Sequence, residues 1–150
     1  MAQTSPSGQP APTEERAFVE LVRTVDALSR GAAHVLRAED ISMTQYNVLR
    51  ILRGSPEGLS CGEVGHRMIT REPDITRLLE RLEKRKLIAR RRDPDDRRTV
   101  IARVTPLGLA VLDRLDGPVQ DIHRTQLGHL GPKRLKALID LLTVCRSRLD

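Results

Sequence analysis

Residues 75–112 read ITRLLERLEKRKLIARRRDPDDRRTVIARVTPLGLAVL, and three textures succeed one another within them. Ile75, Leu78, Leu79 and Leu82 recur at three- and four-residue steps, the apolar face of a helix. Arg77, Arg81 and Lys84 stand at i, i+4 and i+7 on the opposite side, an outward row of cations flanked by Thr76. Pro73 is tolerated only in a helix's first turn, which predicts a start at about Arg71–Glu72 with Thr70 as the cap. Two short extended runs follow, Ile88–Arg92 and Thr99–Val104, the second rich in β-branched residues as strands are. Between them Asp93-Pro94-Asp95-Asp96-Arg97-Arg98 has turn chemistry and two adjacent arginines. Thr105-Pro106 then supplies a cap and a proline at the first helical position, opening a helix toward Leu127.

Upstream, Ser60 and Glu63 have the spacing of a capping box, which predicts a short helix through Val64 to about Met68. The turn cluster Gly54-Ser55-Pro56-Glu57-Gly58 precedes it. Before that lies a helix starting near Thr44, with Ser42 and Thr44 both competent caps. Phe18, Leu21, Val22, Val25, Leu28, Ala32 and Leu36 mark one face of a longer helix from Thr13. Arg16, Arg23, Arg30 and Arg37 form a stripe opposite that face, able either to touch phosphates or simply to keep the helix solvated. The first dozen residues, MAQTSPSGQPAP, are too poor in large apolar groups to offset their ordering entropy and are expected to be a disordered tail. At the other end Gly131-Pro132 breaks the chain before a last helix with Leu135, Leu138, Ile139, Leu142, Cys145 and Leu149 on one side, Cys145 reading as core.

The chain has 150 residues, the length of one modest domain, and is 39% hydrophobic and 31% charged. No stretch approaches the ~18 consecutive apolar residues of a membrane span, so no membrane partner is expected. Two cysteines, Cys61 and Cys145, make no disulfide framework and fit a reducing cytoplasm. The formal net charge is +6, and its distribution is uneven. Residues 67–103 hold 13 Lys and Arg against 7 Asp and Glu, a surplus that alone equals that of the whole chain. A basic surplus points to an anionic partner.

A helix pair joined by a short turn, the second helix exposing arginines, is a helix-turn-helix. Its second helix fits the ~12 Å major groove, where arginine donates two hydrogen bonds to guanine. A hairpin beyond it, tipped by Arg97 and Arg98, can reach the electronegative minor groove. The order of elements thus predicts a mainly α fold with a small β-hairpin wing, a winged helix-turn-helix.

The same stretch resembles the multiple-antibiotic-resistance regulator (MarR) family. The resemblance runs from about Glu14 to Asp150 and is carried by Thr76-Arg77, Leu82-Glu83-Lys84-Arg85, Asp96-Arg97-Arg98 and Val104-Thr105-Pro106-Leu107-Gly108. It implies an obligate homodimer in which the N- and C-terminal helices interlock. Residues 13–38 and 105–150 are then the helical dimerisation region, 39–104 the DNA-binding domain, and 1–12 the tail. The residues agree on separate grounds, because the apolar faces of the long helices exceed what one winged helix can cover. Where the family has a glycine after the Lys-Arg pair, this chain has Lys86, which predicts either a remodelled turn or a left-handed lysine. Asp74 either accepts from cytosine N4 or stabilises the helix dipole.

Arg77 and Arg81, with Thr76 beside them, are the expected base readers or central phosphate contacts. Arg97 and Arg98 are the wing arginines, and Asp96 is expected to position one of them by a charge-assisted pair. Lys84, Arg90 and Arg91 are expected on the DNA backbone. The expected function is a homodimeric, sequence-specific double-stranded-DNA-binding transcriptional regulator, a ligand-responsive repressor on a palindromic operator (an inverted repeat). The alternative is a non-regulatory, architectural winged-helix DNA-binding protein.

The resemblance further implies control by a small phenolic or carboxylate effector near the junction of the dimer helices and the winged domain. His34, Arg37, Met43, Tyr46 and Met68 map there, Arg37 able to pair an anion and Tyr46 to supply an aromatic wall. Cys61, at a predicted helix N-terminus, is read as an inert thiol rather than a redox switch. The four histidines lack paired ligand spacing, so neither metal nor cofactor is expected. No phosphate loop or catalytic triad order is present, which argues against an enzyme. With Phe18 and Tyr46 the only aromatics, stacking on single strands or RNA is disfavoured.

Overall fold

The computed structural model describes residues 12–149, so the expected tail at 1–12 lies outside the described residues except for Pro12. Helix α1, Thr13–Leu36, carries Glu14 and Glu15 in its first turn, where the helix dipole favours anions. Helix α2, Met43–Arg53, is capped by Ser42, not Thr44: Ser42 Oγ accepts from Gln45 N–H at 3.1 Å, and Gln45 Oε1 accepts from Ser42 N–H at 3.0 Å. Helix α3, Cys61–Arg67, opens on the expected Ser60–Glu63 capping box. The strand β1 that precedes it, Leu59–Ser60, is too short to leave an alternation in the sequence.

Helix α4, Ile75–Lys84, begins later than its sequence suggests. Proline pushes the residue before it out of the helical region, so Glu72 and Pro73 stay in the preceding loop. Asp74, not Thr70, is the cap, its carboxylate accepting from Arg77 N–H at 3.1 Å. That settles Asp74 on the helix-end role.

The other end of α4 closes on Lys86, left-handed at φ 60°. Lys86 N–H donates to Glu83 O at 2.8 Å and Leu87 N–H to Leu82 O at 3.1 Å, the paired bonds of a Schellman turn, with Leu82 and Leu87 both buried.

Strands β2, Ile88–Arg92, and β3, Val100–Val104, pair antiparallel in the register Ile88↔Val104 to Arg92↔Val100. β1 adds to the free edge of β3, giving the order β1-β3-β2.

Helix α5, Pro106–Leu127, is capped by Thr105, whose Oγ1 accepts from Gly108 N–H at 3.1 Å and donates to Lys86 O at 2.7 Å. Gly108 is required, because a Cβ there would sit 2.2 Å from Leu87 O. Pro118 lies inside α5, unforeseen in the sequence reading. After a 3-10 turn at Gly128–Leu130, helix α6 runs Gly131–Arg146.

The core joins Leu36 of α1, Val48, Leu49 and Leu52 of α2, Val64 of α3, Leu79 and Leu82 of α4, Ile88, and Leu112 and Leu115 of α5. Polar contacts tie this lobe to α5. Asp116 accepts from Tyr46 Oη at 3.0 Å and pairs with Arg53 at 2.5 Å. Glu39 takes a bidentate pair from Arg114, at 2.7 and 2.9 Å. The Arg53 hydrogen bonds hold the Asp116 carboxyl below its ordinary range, while burial, then Asp116, pushes the Tyr46 phenol up.

Away from this core, apolar side chains are uncovered. Phe18 is 67% exposed, Val25 60%, and Ile139 and Val144 of α6 62% and 65%. Cys145, expected as core, is exposed with them, since nothing among the described residues packs on that side of α6. No helix among the described residues is long and apolar enough to cross a membrane.

Two outcomes follow for measurements at fixed protein concentration. Lys86→Gly removes a left-handed side chain and is expected to raise stability by about 0.5–1 kcal/mol in urea denaturation, after the entropy of the added glycine is subtracted. Asp116→Asn is expected to cost about 1–2 kcal/mol at neutral pH, because it removes the charge that Arg53 pairs with. The depressed Asp116 pKa adds stability fully present above the ordinary aspartate range, near pH ~4, and lost as pH falls through the lowered value. The variant should therefore lose less stability on acidification than the parent.

Candidate nucleic-acid interface

The outer face of α4 exposes Thr76, Arg77, Arg81 and Lys84. Beside it the N-terminus of α2 contributes Ser42 and Gln45, which line one groove with Arg37, Arg81, Lys84 and Arg85, and a neighbouring one with Arg77 and Asp74. The two helices thus present a continuous, cation-rich surface, the start of α2 beside the middle of α4.

The 13 cations of residues 67–103 divide into two groups. Arg85 donates to the carbonyls of Glu39 and Asp40, Arg67 to Ser55 Oγ, Arg92 to Arg97 O and Arg103 to Glu57 O. Arg90, expected on the DNA backbone, instead binds Glu83: Nη2 lies 2.7 Å and Nε 2.9 Å from Oε2, with the Arg90 backbone N–H on Oε1 at 3.3 Å. That contact clamps β2 to the last turn of α4, and Arg90 is half-buried in consequence. The remaining eight, Arg71, Arg77, Arg81, Lys84, Lys86, Arg91, Arg97 and Arg98, are exposed and make no side-chain hydrogen bond or ion pair among the described residues.

Asp96 orders the wing differently from expectation. Its Oδ1 accepts from Arg98 N–H at 3.0 Å and its Oδ2 from Thr99 Oγ1 at 2.9 Å. It therefore shapes the backbone of the tip and leaves the guanidinium groups of Arg97 and Arg98 unpaired. Asp93 does the same on the other side, accepting from Asp95 N–H at 2.9 Å. Thr76 Oγ1 lies 3.5 Å from Cys61 Sγ, at a cleft between α3, α4 and the wing that Arg98 also lines.

Of the residues expected near an effector, the structure brings two together. Met43 and Tyr46 line a cavity of about 200 Å³ between α1, α2 and α5. His34 and Arg37 face each other instead, Arg37 Nη2 lying 2.9 Å from His34 Nδ1, and Arg37 turns to the groove beside Arg81. Met68 packs on the core. Sequence reasoning missed Asn47, Arg50, Ile69, Thr70 and His123, which complete the cavity with Ala32, Leu36 and Val119. The helical spacing of Met43, Tyr46, Asn47 and Arg50 was the available signal. Arg50 lies over the Tyr46 ring, 5.7 Å from its centre.

The sequence model of the MarR family matches residues 41–100, from the approach to α2 into β3. A MarR transcription factor of Planctomyces limnophilus is 38% identical, over 91% of this chain and 98% of its own, with a TM-score of 0.69. BpsR of Bordetella bronchiseptica, solved for the regulation of its DNA binding by 6-hydroxynicotinic acid, is 25% identical over 92% of this chain and 98% of its own, with a TM-score of 0.82. The transcriptional repressor IacR of Pseudomonas putida is 23% identical across 137 residues, 91% of this chain and 81% of that protein. The 38% identity along nearly the whole of the Planctomyces limnophilus MarR transcription factor, with the winged helix and its flanking long helices in the same order, makes this chain a member of the MarR family of transcriptional regulators.

Proposed function

We propose that the protein is a homodimeric, ligand-responsive repressor that binds a palindromic operator in double-stranded DNA, in the cytoplasm. The observation that carries the DNA half is the set of eight exposed cations, unpaired among the described residues, on α4, its flanking turns and the wing, in a region where the other five are held by the protein itself. Desolvated, structurally engaged arginines would be spent. These are held ready for phosphates and base edges.

In this reading α4 lies in the major groove with Arg77 and Arg81 on base edges and Thr76 beside them. Lys84 and Arg91 contact phosphates, and Arg97 and Arg98 enter the adjacent minor groove on a tip shaped by Asp96. Arg90 is a wing clamp and no longer among the contacts. The bare apolar faces of α1 and α6 support a dimer, which would place half-sites about one helical turn (~34–36 Å) apart.

The effector half rests on the cavity. A void of ~150 Å³ accommodates benzene, so about 200 Å³ suits one ring with a polar substituent. Arg50 and His123 on its wall favour an acid or phenol, and BpsR's response to 6-hydroxynicotinic acid supports that class.

Electrophoretic mobility shifts on the DNA upstream of the protein's own gene test this. Arg77→Ala is expected to cost about 1–3 kcal/mol on that duplex and to relax preference at one base pair, whereas Lys84→Ala weakens specific and random duplex alike. Affinity for random duplex should fall steeply with salt. Equal losses on both duplexes for Arg77→Ala would remove it from base reading, and tight binding to random duplex without preference would favour an architectural role.

A further inference from the structure

The cavity between α1, α2 and α5 has walls of two kinds. Three are anchored: Ala32 and Leu36 of α1 are buried, Val119 belongs to α5, and α2 is pinned to α5 through Tyr46 and Arg53 on Asp116. The fourth is Ile69 and Thr70, in the segment between α3 and α4 that has neither helix nor strand. Ile69 is 80% exposed, so apolar burial does little to hold this wall. Its backbone is held by one side chain, Asn47, whose Oδ1 accepts from Ile69 N–H at 2.8 Å. Asn47 also lines the cavity. Five residues after Ile69, Asp74 caps α4 by accepting from the N–H of Arg77.

We propose that Asn47 is the positioning residue through which occupancy of this cavity reaches the recognition helix: it latches the backbone of Ile69, and an occupant releases the latch. This rests on the effector reading of the cavity. The chemistry of the amide fits the task. Asparagine has one acceptor oxygen and two N–H donors. The oxygen is engaged by Ile69, while Nδ2 has no partner among the described residues. A hydroxyl in the cavity competes with Ile69 for Oδ1, and a carboxylate draws Nδ2 and turns the amide. Either way the bond from Ile69 N–H is weakened. Six residues join Met68 to α4, and Pro73 stiffens the link, so a shift at Ile69 is passed to Asp74 and to the first turn of α4. Because the other walls are anchored, expansion of the cavity falls on this segment.

The test needs no identified effector, because a larger side chain can stand in for one. Four proteins are compared in the full-length chain: the parent, Asn47→Ala, the cavity filler Ala32→Leu, and the double variant. The readouts are amide hydrogen exchange across residues 68–76 and affinity for the upstream duplex against a random duplex. Asn47→Ala and Ala32→Leu are each expected to speed exchange in that segment and to weaken specific binding by about tenfold, with random-duplex binding unchanged. In the Asn47→Ala background the filler should add less than about twofold, since the latch is already open. Asn47→Asp keeps an acceptor oxygen and should retain the parent's exchange.

Additive effects of the two substitutions would overturn the proposal, as would unchanged exchange at Ile69 in Asn47→Ala. If Ala32→Leu unfolds the chain by circular dichroism, His123→Trp fills the cavity from its exposed rim instead. A parent protein with no preference for the upstream duplex would refute the operator-binding reading, while the exchange cycle still decides the latch.

Discussion

The carbonyl of Leu87 is where the parts of this molecule are joined. It accepts from Thr105 N–H at 3.0 Å, and the neighbouring Lys86 carbonyl accepts from Thr105 Oγ1 at 2.7 Å. Leu87 N–H, on the opposite side of the same residue, closes α4. Within two residues the end of the recognition helix, the start of the wing and the cap of α5 share their backbone hydrogen bonds. Gly108 lets α5 approach this point where any side chain would collide. Because each group satisfies the others, the angle between α4 and α5 is set by obligatory bonds rather than by adaptable apolar packing. The left-handed Lys86 is the conformational cost of that junction.

Much of this was legible in the sequence because the signals are local. Ser60 with Glu63, Thr105 with Pro106, and the β-branched run before Val104 each decide the geometry of adjacent residues. What was not legible depends on neighbours remote in the chain. Strand β1 exists because β3 has an edge to offer, not because Leu59–Ser60 has a pattern. Thr70 and Asp74 are both good caps, and the choice between them follows from the loop required by Pro73. Arg90 and Arg91 are indistinguishable by residue type; the pleat of β2 sends them to opposite faces, and only Arg90 meets Glu83. The cavity draws its walls from α1, α2, α5 and the segment before α4, so Asn47 and His123 meet only in the folded chain.

Arginine serves two ends in this protein, and the contacts each one makes separate them. Arg53, Arg85 and Arg90 join elements through planar, multi-bonded contacts that lysine would not reproduce. Arg85 meets the carbonyl of Glu39, and the Glu39 carboxylate meets Arg114, so the end of α4 is connected to α5 by a second, polar route. Arg77, Arg81, Arg97 and Arg98 keep their donors free among the described residues. A net charge alone would not have separated frame from contact surface.

Helix α5 has the dimensions of a lever arm. Its 22 residues span about 33 Å at ~1.5 Å per residue, with the winged lobe at one end and α6 at the other. A tilt of ~10° at one end displaces the other by about 6 Å, more than the ~3.4 Å rise of one base pair. Pro118, near the middle, withholds the hydrogen bond that would run to the Arg114 carbonyl. In the proposed two-fold dimer such an angular change would move both copies of α4 at once. On the proposed function, release from DNA would then need no arginine to lose its place: the two reading heads would fall out of step with the pitch of the duplex.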